Sequence, residues 1–464
     1  MNALRKRDPA GHKMDPIVGN TRSTLPGRRP PMSWRTLLIG LAAAACYARA
    51  VLAAETPSPR PASVVLEVFA LKHDRYNTPV ECPLPEPFRN VSALALTDLG
   101  SRKTVDAQVL PGRPPQLAWI VRDCLKAGMS RRFRLAPAAV PPRPGTAATC
   151  RDDGRQLLLA VGAHPVLQYQ QALVESPPGL PSIYRRSGQI HPLFDPAGRI
   201  LSDDFPPDHA HQHGMFFAWV HSNFEGRDLD FWNQNKGTAR IDHQRVVSIA
   251  GGPVCAEFVV AIRWTDLVAP HGPMPVLDET WRVRVYNIAE HFLIDLESRQ
   301  TCAGDSPLTL PKYHYGGMAF RGNRQWYDAA IEKQVSKLIG HAGPAELAKV
   351  ARKYDYLTSD GKTWLDGNAT RARWVEIHGL IDGRPSGAVV LGHPRNFRAP
   401  QPVRLHPGKP YFCFAPMILG DFAIEPGKPY VSRYRYYVHT GEPDRAVNER
   451  IWNDYADPPQ VVAR

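Results

Sequence analysis

The sequence predicts an all-β protein, a large antiparallel sandwich with a smaller β region in front of it. Apolar and polar residues alternate with a period of two in many short segments, as strands with one buried face require. The 46 prolines and 35 glycines among 464 residues favour short elements joined by turns. Helical patterns are confined to 324–339 and 344–354, so helix is predicted only as an excursion between strands.

The N-terminal β region is predicted over 64–145, with its first strand at 63–70. A segment rich in proline and alanine, 135–149, separates it from the main sandwich, which we place at 146–464. The clearest strands of the main domain lie at 156–161, 257–264, 280–286, 292–297, 373–378, 388–391, 411–414 and 430–438. Their irregular spacing favours an antiparallel sandwich over a repeat architecture.

Residues 1–54 are predicted to be an export signal. Arg35 precedes the apolar run 37–46, and small residues precede Glu55. The run is short for a permanent anchor, so no stable membrane span is expected once the signal is removed. Met32 would begin a signal peptide of ordinary length, which suggests a start placed too far upstream.

The expected location is therefore periplasmic or secreted, with residues 55–63 as a linker. Two alternatives stay open: Arg28-Arg29 as part of a twin-arginine signal, and Cys46 as a lipoprotein site. The other six cysteines can pair in 15 ways in an oxidising compartment, and no CxxC motif is present.

The formal charge of +13 does not indicate a nucleic-acid partner. Residues 1–54 carry nine lysines and arginines against Asp8 and Asp15, and so account for +7 of that charge. No long basic run follows that would track a phosphate backbone. The sequence also lacks G-x-S-x-G, a Walker loop, G-x-G-x-x-G after a strand and H-E-x-x-H, which argues against serine hydrolases, nucleotide-dependent enzymes and zincins.

The segment 203–232 is the strongest candidate for chemistry. It holds four histidines, five aspartates, one glutamate and two tryptophans in thirty residues. A solvated loop needs few aromatic residues and a core strand needs few charges, so a segment rich in both suggests a binding or catalytic surface.

Three histidines of this segment alternate, His209, His211 and His213. On an extended backbone their imidazoles would project to one side, as needed to bind one metal ion or line one pocket. Asp204 and Asp208 would orient a histidine or act as acid or base. The structural alternative is that Asp208 caps a turn while the histidines are half-buried at a sheet edge.

Further residues are candidates for contacts with a sugar. Aromatic faces pack on sugar rings, while carboxylates, imidazoles and guanidinium groups bond sugar hydroxyls. Simple core packing or a surface loop is the alternative for each. The predicted sugar-contacting residues are His191, Trp219, Trp232, Tyr313, His314, Arg321, Asn396 and Arg398.

Six segments in a fixed order resemble the bacterial family labelled PmoA-like, or methane oxygenase PmoA. They are HPLFDPAGRILSDDFPPDHAHQHGMFFAW from 191, DFWN from 230, KYHYGGMAFR from 312, RWVEIHG from 373, GHPRNFRAP from 392 and RYRYYVHTGEP from 433. The resemblance covers roughly residues 65–442. The family often has two adjacent histidines before Arg-Gly, where this chain has Gln212-His213-Gly214, so His209 and His211 carry over more firmly than His213.

Membrane subunits of methane oxygenases are bundles of long apolar helices, and this sequence shows no such helix after its N-terminal segment. The resemblance implies instead a sandwich similar to the galactose mutarotase type, in a protein from carbohydrate-utilisation contexts. Fold alone does not fix activity.

The sequence thus leads to one main hypothesis and two alternatives. The main one is an exported enzyme of the sugar epimerase, lyase or hydrolase type, in which His209 and His211 transfer protons and Asp204 and Asp208 orient them. It needs no cofactor. One alternative is a zinc or copper protein that binds a divalent metal through His209, His211 and either His213 or His314, for hydrolysis or oxidation. The other is a glycan-binding protein without catalysis.

Overall fold

The computed structural model describes residues 63–140 and 147–464, which lie within one compact unit, 60–464. The predicted signal at 1–54 and all of the predicted linker except Ser63 lie outside the described residues, as does 141–146 beside the predicted domain boundary. Within the two described ranges, no helix is both long and apolar enough to cross a bilayer.

The N-terminal part is built from seven short strands. They are β1 (Val64–Phe69), β2 (Arg75–Pro83), β3 (Leu94–Asp98), β4 (Thr104–Val105), β5 (Ala107–Leu110), β6 (Gln116–Leu125) and β7 (Ser130–Pro137).

The remaining strands belong to the main part, except the last strand of the chain, which belongs to the N-terminal part. They are β8 (Ala148–Asp152), β9 (Gln156–Val161), β10 (His164–Gln170), β11 (Ile190–Leu193), β12 (Met215–Ala218), β13 (Ser222–Phe224), β14 (Arg227–Leu229), β15 (Ala239–Ala250), β16 (Cys255–Asp266), β17 (Met274–Tyr286), β18 (Phe292–Cys302), β19 (Leu308–Leu310), β20 (Gly317–Arg321), β21 (Tyr354–Thr358), β22 (Trp374–Ile381), β23 (Arg384–Gly392), β24 (Val403–Leu405), β25 (Tyr411–Phe414), β26 (Phe422–Ile424), β27 (Tyr430–Thr440) and β28 (Gln460–Ala463).

Within 63–140 and 147–464, three α-helices interrupt the strands, α1 (Ala329–Leu338), α2 (Pro344–Leu347) and α3 (Arg445–Ala456). Asp328 caps α1 and Asp444 caps α3, each accepting two backbone N–H bonds in the first turn. The helices α1 and α2 confirm the predicted excursion, although both are shorter than predicted. Helix α3 was not predicted.

Two eight-stranded sheets make the main sandwich. The first large sheet has the order β24-β25-β20-β12-β11-β10-β9-β8, and the second has the order β15-β16-β17-β18-β27-β23-β22-β21. All their strand pairs are antiparallel, and side chains of both sheets share one buried apolar core, which includes Leu159, Phe217, Trp264 and Val283. The predicted all-β antiparallel sandwich is confirmed.

The N-terminal strands form two sheets with a core of their own. A five-stranded sheet runs β28-β1-β7-β3-β4, and a three-stranded sheet runs β2-β6-β5. Leu66, Phe133 and Trp119 are among the residues buried between them. Strand β28 pairs with β1, with Gln460 opposite Phe69, so this small sandwich is completed by a strand that follows the main one. Among the described residues, the six cysteines are all free thiols.

The first large sheet places distant segments next to one another. Phe216 of β12 lies opposite Ala319 of β20, and Ala319 lies opposite Cys413 of β25, which in turn pairs with β24. The loop before β12 therefore lies where β20 ends, and the loop before β20 lies at the opposite end, where β12 ends. These loops carry most of the polar aromatic and imidazole groups discussed below.

Candidate functional site

The histidine-rich segment before β12 is not extended. Residues 207–208 and 210–211 form turns, and Asp204 makes an isolated bridge to His213. Gly214 then enters β12 with a φ of +56°, where a Cβ atom would lie 2.3 Å from the Ile190 carbonyl oxygen. Only glycine fits this backbone. Because the turns rotate successive side chains differently, the expected projection of three imidazoles to one side does not occur.

His213 is fully buried and engaged on both ring nitrogens. Its Nδ1 lies 2.6 Å from Asp204 Oδ1, and its Nε2 lies 2.9 Å from Gln234 Oε1. The Gln234 amide nitrogen donates to two backbone carbonyls, which fixes Oε1 toward the histidine. Burial acts to raise the pKa of Asp204, but the charge and the hydrogen bond of His213 lower it. Both ring nitrogens of His213 thus face oxygen atoms that can accept hydrogen bonds.

The positions of Asp204 and His213 differ from two predictions made from the sequence. Asp204 contacts His213, and it does not orient His209 or His211 as expected. In the described ranges, moreover, no three His, Cys, Asp or Glu side chains come together as a group suited to a metal ion. The expected three-histidine metal site is therefore not assembled, because the turns send His213 into the core while His209 and His211 stay half-buried.

Arg321, at the end of β20, fixes the histidine segment to the sheet. Its fully buried guanidinium donates to both Asp208 oxygens, at 2.8 and 3.0 Å, and to Gln212 Oε1 at 2.9 Å. Burial alone would raise the pKa of Asp208, but the hydrogen bonds from His209 and Arg321 hold it well below its usual value. Arg321 was expected to contact a ligand, and the structure shows it positioning Asp208 instead.

His209 and His211 lie side by side next to this ion pair. Their ring centres are 5.1 Å apart, and His209 Nδ1 is 3.3 Å from Asp208 Oδ2. Burial, with the nearby charges of His209 and His213, lowers the pKa of His211 to about 3. At neutral pH the His211 imidazole is therefore uncharged and able to donate one hydrogen bond and accept another.

A wall of aromatic side chains precedes β20. Tyr313 packs on His221, His314 and Tyr315, with ring centres 4.4, 4.3 and 4.9 Å away. The Tyr315 hydroxyl accepts a 3.0 Å bond from Asn233 Nδ2. Tyr313 and Tyr315 are half-buried and His314 is exposed, so their polar edges reach solvent. The predicted contribution of Tyr313 and His314 to one surface is consistent with this geometry.

Trp232 and Tyr411 lie buried beneath this wall. The Trp232 ring is 5.2 Å from Tyr315 and 6.1 Å from Tyr411. Asp230 fixes the turn that follows it by accepting hydrogen bonds from the backbone N–H and the side-chain amide of Asn233. Its Oδ2 also lies 2.8 Å from Lys236 Nζ. Trp232 supports the aromatic wall from below, since only 1% of its side chain is exposed.

Two residues that the sequence did not single out complete the site, Arg404 and His406. Both are half-buried at β24, and His406 packs on Tyr411 with ring centres 5.3 Å apart. Burial, with the charges of Lys409, Arg404 and His209, lowers the pKa of His406 to about 2. His406 Nδ1 accepts a bond from the Gly408 N–H, so its proton lies on Nε2. Arg404 and His406 are two residues apart at the end of a short apolar segment. That spacing is the sequence feature that could have identified them.

We call this set of groups the site ring. Ring contacts join His209 to His211 and join His314 to Tyr313 and Tyr315, a hydrogen bond joins Asn233 to Tyr315, and His406 packs on the buried Tyr411. All members of the site ring are half-buried except the exposed His314. The site ring consists of His209, His211, Asn233, Tyr313, His314, Tyr315, Arg404 and His406.

Three other predicted contact residues have structural roles. Trp219 is fully buried in the sandwich core, where its Nε1 donates to Gln300 Oε1 at 2.8 Å. Asn396 exchanges two hydrogen bonds with the Arg433 backbone. Arg398 donates to the carbonyls of Pro416, Gly420 and Asp421, and so holds the loop whose Met417 carbonyl accepts the Tyr313 N–H.

The remaining predicted residue, His191, lines a separate cleft. The cleft has a volume of about 620 Å³ and includes Asp203, Asp204 and Arg324. His191 Nδ1 lies 2.9 Å from the Ser202 hydroxyl, and Arg324 pairs with Asp203 through two nitrogens. Apart from the His191 imidazole, no aromatic side chain lines this cleft, and its acid Asp203 is already paired. It is therefore less suited to a sugar than the site ring.

The fold and site together define an antiparallel β-sandwich with a surface site of imidazole, phenol and guanidinium groups. A family model described as a family of unknown function, DUF6807, matches residues 156–453, which is more than half of the chain. The chain belongs to this family. No curated protein matches the sequence.

Solved structures similar to the chain include an alpha-mannosidase from Enterococcus faecalis V583, with a TM-score of 0.45 and 9% identity over 87% of this chain and 46% of that one. A protein in the glycosyl hydrolase family 38 from Enterococcus faecalis matches with a TM-score of 0.41 and 10% identity, over 87% of this chain and 47% of that one. The chain thus spans a little under half the length of these two proteins.

Proposed function

We propose that the protein is an exported carbohydrate-active enzyme whose site ring performs acid/base chemistry on a sugar or glycoside. The observation that carries the proposal is the pair of half-buried imidazoles of His209 and His211, 5.1 Å apart, beside an Asp208 carboxylate that a buried arginine holds in place. A carboxylate next to an imidazole stabilises the cation that forms when the ring accepts a proton.

The two histidines have different roles in this proposal. His209 is the proton-transfer group, because Asp208 Oδ2 lies 3.3 Å from its Nδ1 and offsets a positive charge on the ring. His211 is uncharged at neutral pH, because burial lowers its pKa to about 3. It therefore serves as a hydrogen-bond partner for a sugar hydroxyl. This division suits ring opening, epimerisation, elimination or glycoside cleavage.

The surroundings of the pair suit a sugar. A sugar ring presents apolar C–H faces and polar hydroxyl edges, and the site ring offers both kinds of partner. Tyr313 and Tyr315 provide half-buried aromatic faces with hydroxyl groups, and His406 provides an Nε2 N–H donor. The carbohydrate setting implied by the PmoA-like resemblance points the same way. Export is supported by the apolar run at 37–46 alone.

The test is a screen of glycosides and oligosaccharides with the full chain, read by mass spectrometry, followed by kinetics of three variants. His209→Ala should lower kcat on the substrate found by about 100-fold or more, the usual contribution of one acid/base group. His211→Ala should mainly raise KM. His271→Ala is the matched control, since His271 is an exposed loop histidine outside the site ring.

Three results would contradict the proposal. Full activity in His209→Ala would remove the assigned proton-transfer group. Sugar binding without any product would favour the glycan-binding alternative. Activity that is lost with a chelator and restored by zinc or copper would favour the metal alternative. Unfolding curves of each variant must match the parent chain for the kinetic comparison to hold.

A further inference from the structure

The carboxylates beside the site ring and one nearby lysine are paired with opposite charges, whereas the one arginine within the site ring is not. Asp208 is held by Arg321, Asp230 by Lys236 at 2.8 Å, and Lys409 pairs with Glu332 at the far side of His406. Each of these pairs sums to zero. The imidazoles of His211 and His406 add no charge at neutral pH, because burial lowers the pKa of both.

Arg404 is the exception. Its guanidinium is half-buried, and its Nη1 donates to the neutral Asn368 Oδ1 at 3.2 Å. Its Nε is buried without a hydrogen-bond partner, and no acidic side chain pairs with it anywhere in 63–140 or 147–464. A half-buried cation with an unused donor and no counter-ion is a site for an anion.

We propose that Arg404 binds the carboxylate of an acidic sugar, so that the site ring accepts uronate-type substrates in preference to neutral ones. This inference rests on the proposed function and adds the substrate class to it. The planar guanidinium fork matches a carboxylate in two parallel hydrogen bonds. His406 follows Arg404 by two residues and packs on Tyr411, and burial together with the charge of Arg404 lowers the pKa of both His314 and His406.

The charge balance distinguishes a carboxylate from a phosphate. The Arg404 guanidinium carries a single positive charge, which one carboxylate neutralises. A phosphate group carries about −1.5 to −2 at neutral pH and would leave excess negative charge beside Asp208 and Asp230. The site ring thus matches a sugar acid better than a sugar phosphate.

The test uses the full chain and uronate-containing oligosaccharides, each paired with its methyl ester. The ester removes the negative charge and changes the shape little. Calorimetric titration should show the acid form binding about 10- to 100-fold more tightly than the ester, the worth of one charge-assisted hydrogen bond or more. Arg404→Gln should remove this preference, so that the variant binds the acid and the ester with Kd values within about twofold of each other.

Two further variants serve as a comparison and a control. Arg404→Lys retains the charge without the fork, so it should keep an intermediate preference for the acid form. Arg132→Gln, an exposed arginine on β7 in the N-terminal sheet, is the matched control and should leave the preference unchanged.

The outcomes separate the two proposals. Equal binding of acid and ester, tighter binding of a hexose 6-phosphate, or an unchanged preference in Arg404→Gln would overturn the acidic-sugar inference. Neutral glycans that bind and turn over in a His209-dependent way would at the same time uphold the proposed function. Failure of every glycan to bind would overturn both.

Discussion

Arg321 and Asp208 are joined by two hydrogen bonds, of 2.8 and 3.0 Å, in which the guanidinium is fully buried and only 4% of the carboxylate side chain is exposed. The pair ties the loop that carries His209 and His211 to the last residue of β20. Removing one partner of such a pair leaves a buried charge without compensation.

Arg321→Met should therefore lower the free energy of unfolding by about 3–5 kcal/mol and release the histidine loop. Urea denaturation at neutral pH measures the loss. Arg263→Met is the matched control, because Arg263 also pairs with an aspartate, Asp278, through two nitrogens, but the two side chains are 40% and 48% exposed. Its loss should be within about 1 kcal/mol. Equal losses in the two variants would refute the assigned role of Arg321.

His213 and His211 should behave oppositely although they are two residues apart. His213→Phe leaves the Asp204 carboxylate and the Gln234 amide without their partner, so we expect a loss of about 3–5 kcal/mol in the free energy of unfolding. His211→Ala removes a half-buried neutral ring and should cost about 1 kcal/mol or less while affecting sugar binding. Thermal unfolding and calorimetric titration of both variants distinguish the two roles. A stable His213→Phe with weakened binding would contradict the prediction.

Stability should fall in acid partly because of His406. Its pKa in the folded protein is about 2, against an ordinary value of 6.5. Between these pH values the unfolded chain binds a proton that the folded chain does not, so the free energy of unfolding rises with pH. We expect His406→Asn, which keeps an acceptor near the Gly408 N–H, to reduce the slope between pH 4 and 6 by about 1 kcal/mol per pH unit. Urea denaturation at several pH values, with His271→Asn as control, measures the slope, and an unchanged slope would contradict the assignment.

Glu279 anchors the interior of the main sandwich. Only 2% of its side chain is exposed, and burial raises the pKa of the carboxyl against four hydrogen bonds that lower it. Its donors are Trp264 Nε1 at 2.7 Å, Trp281 Nε1 at 2.7 Å, Ser298 Oγ at 2.5 Å and Gln300 Nε2 at 3.1 Å.

Glu279→Gln replaces one acceptor oxygen by an NH₂ group that faces these donors. We expect the free energy of unfolding to fall by about 2–3 kcal/mol, because at least one buried donor loses its acceptor. Urea denaturation measures the change, and Glu346→Gln on the exposed surface of α2 serves as the control. An unchanged midpoint in Glu279→Gln would show that the network rearranges at no cost.

Strands in which apolar and polar residues alternate clearly were predictable from the sequence, whereas elements that depend on tertiary contacts were not. Strand β9 and strand β25 have the predicted bounds, 156–161 and 411–414. Strand β17 begins six residues before its predicted start at 280, because pairing with β16 and β18 extends it through the weak pattern MPVLDE. Helix α3 was missed although Asp444 is a clear N-cap.

Only part of the candidate site was predictable from the sequence, again because contacts between distant segments have no local pattern. His209, His211 and Asp208 are close in sequence, and their proximity in space needs only a local turn. Arg404 and His406 reach them only through the pairing of β24 with β25 and of β25 with β20, which no local pattern encodes. The segment also gave no sign that Asp204 would bind His213 in preference to its nearer neighbours.

The pairing of β28 with β1 sets an order of events during translation. Phe69 and Gln460 face each other across roughly 390 residues of chain, and ribosomes add about 5–20 residues per second. One edge of β1 is therefore open for about 20–80 s while the main sandwich is being made. An open strand edge invites pairing with other chains. The nascent protein thus passes through a period in which this edge of its N-terminal sheet is unpaired, and that period ends only when β28 emerges.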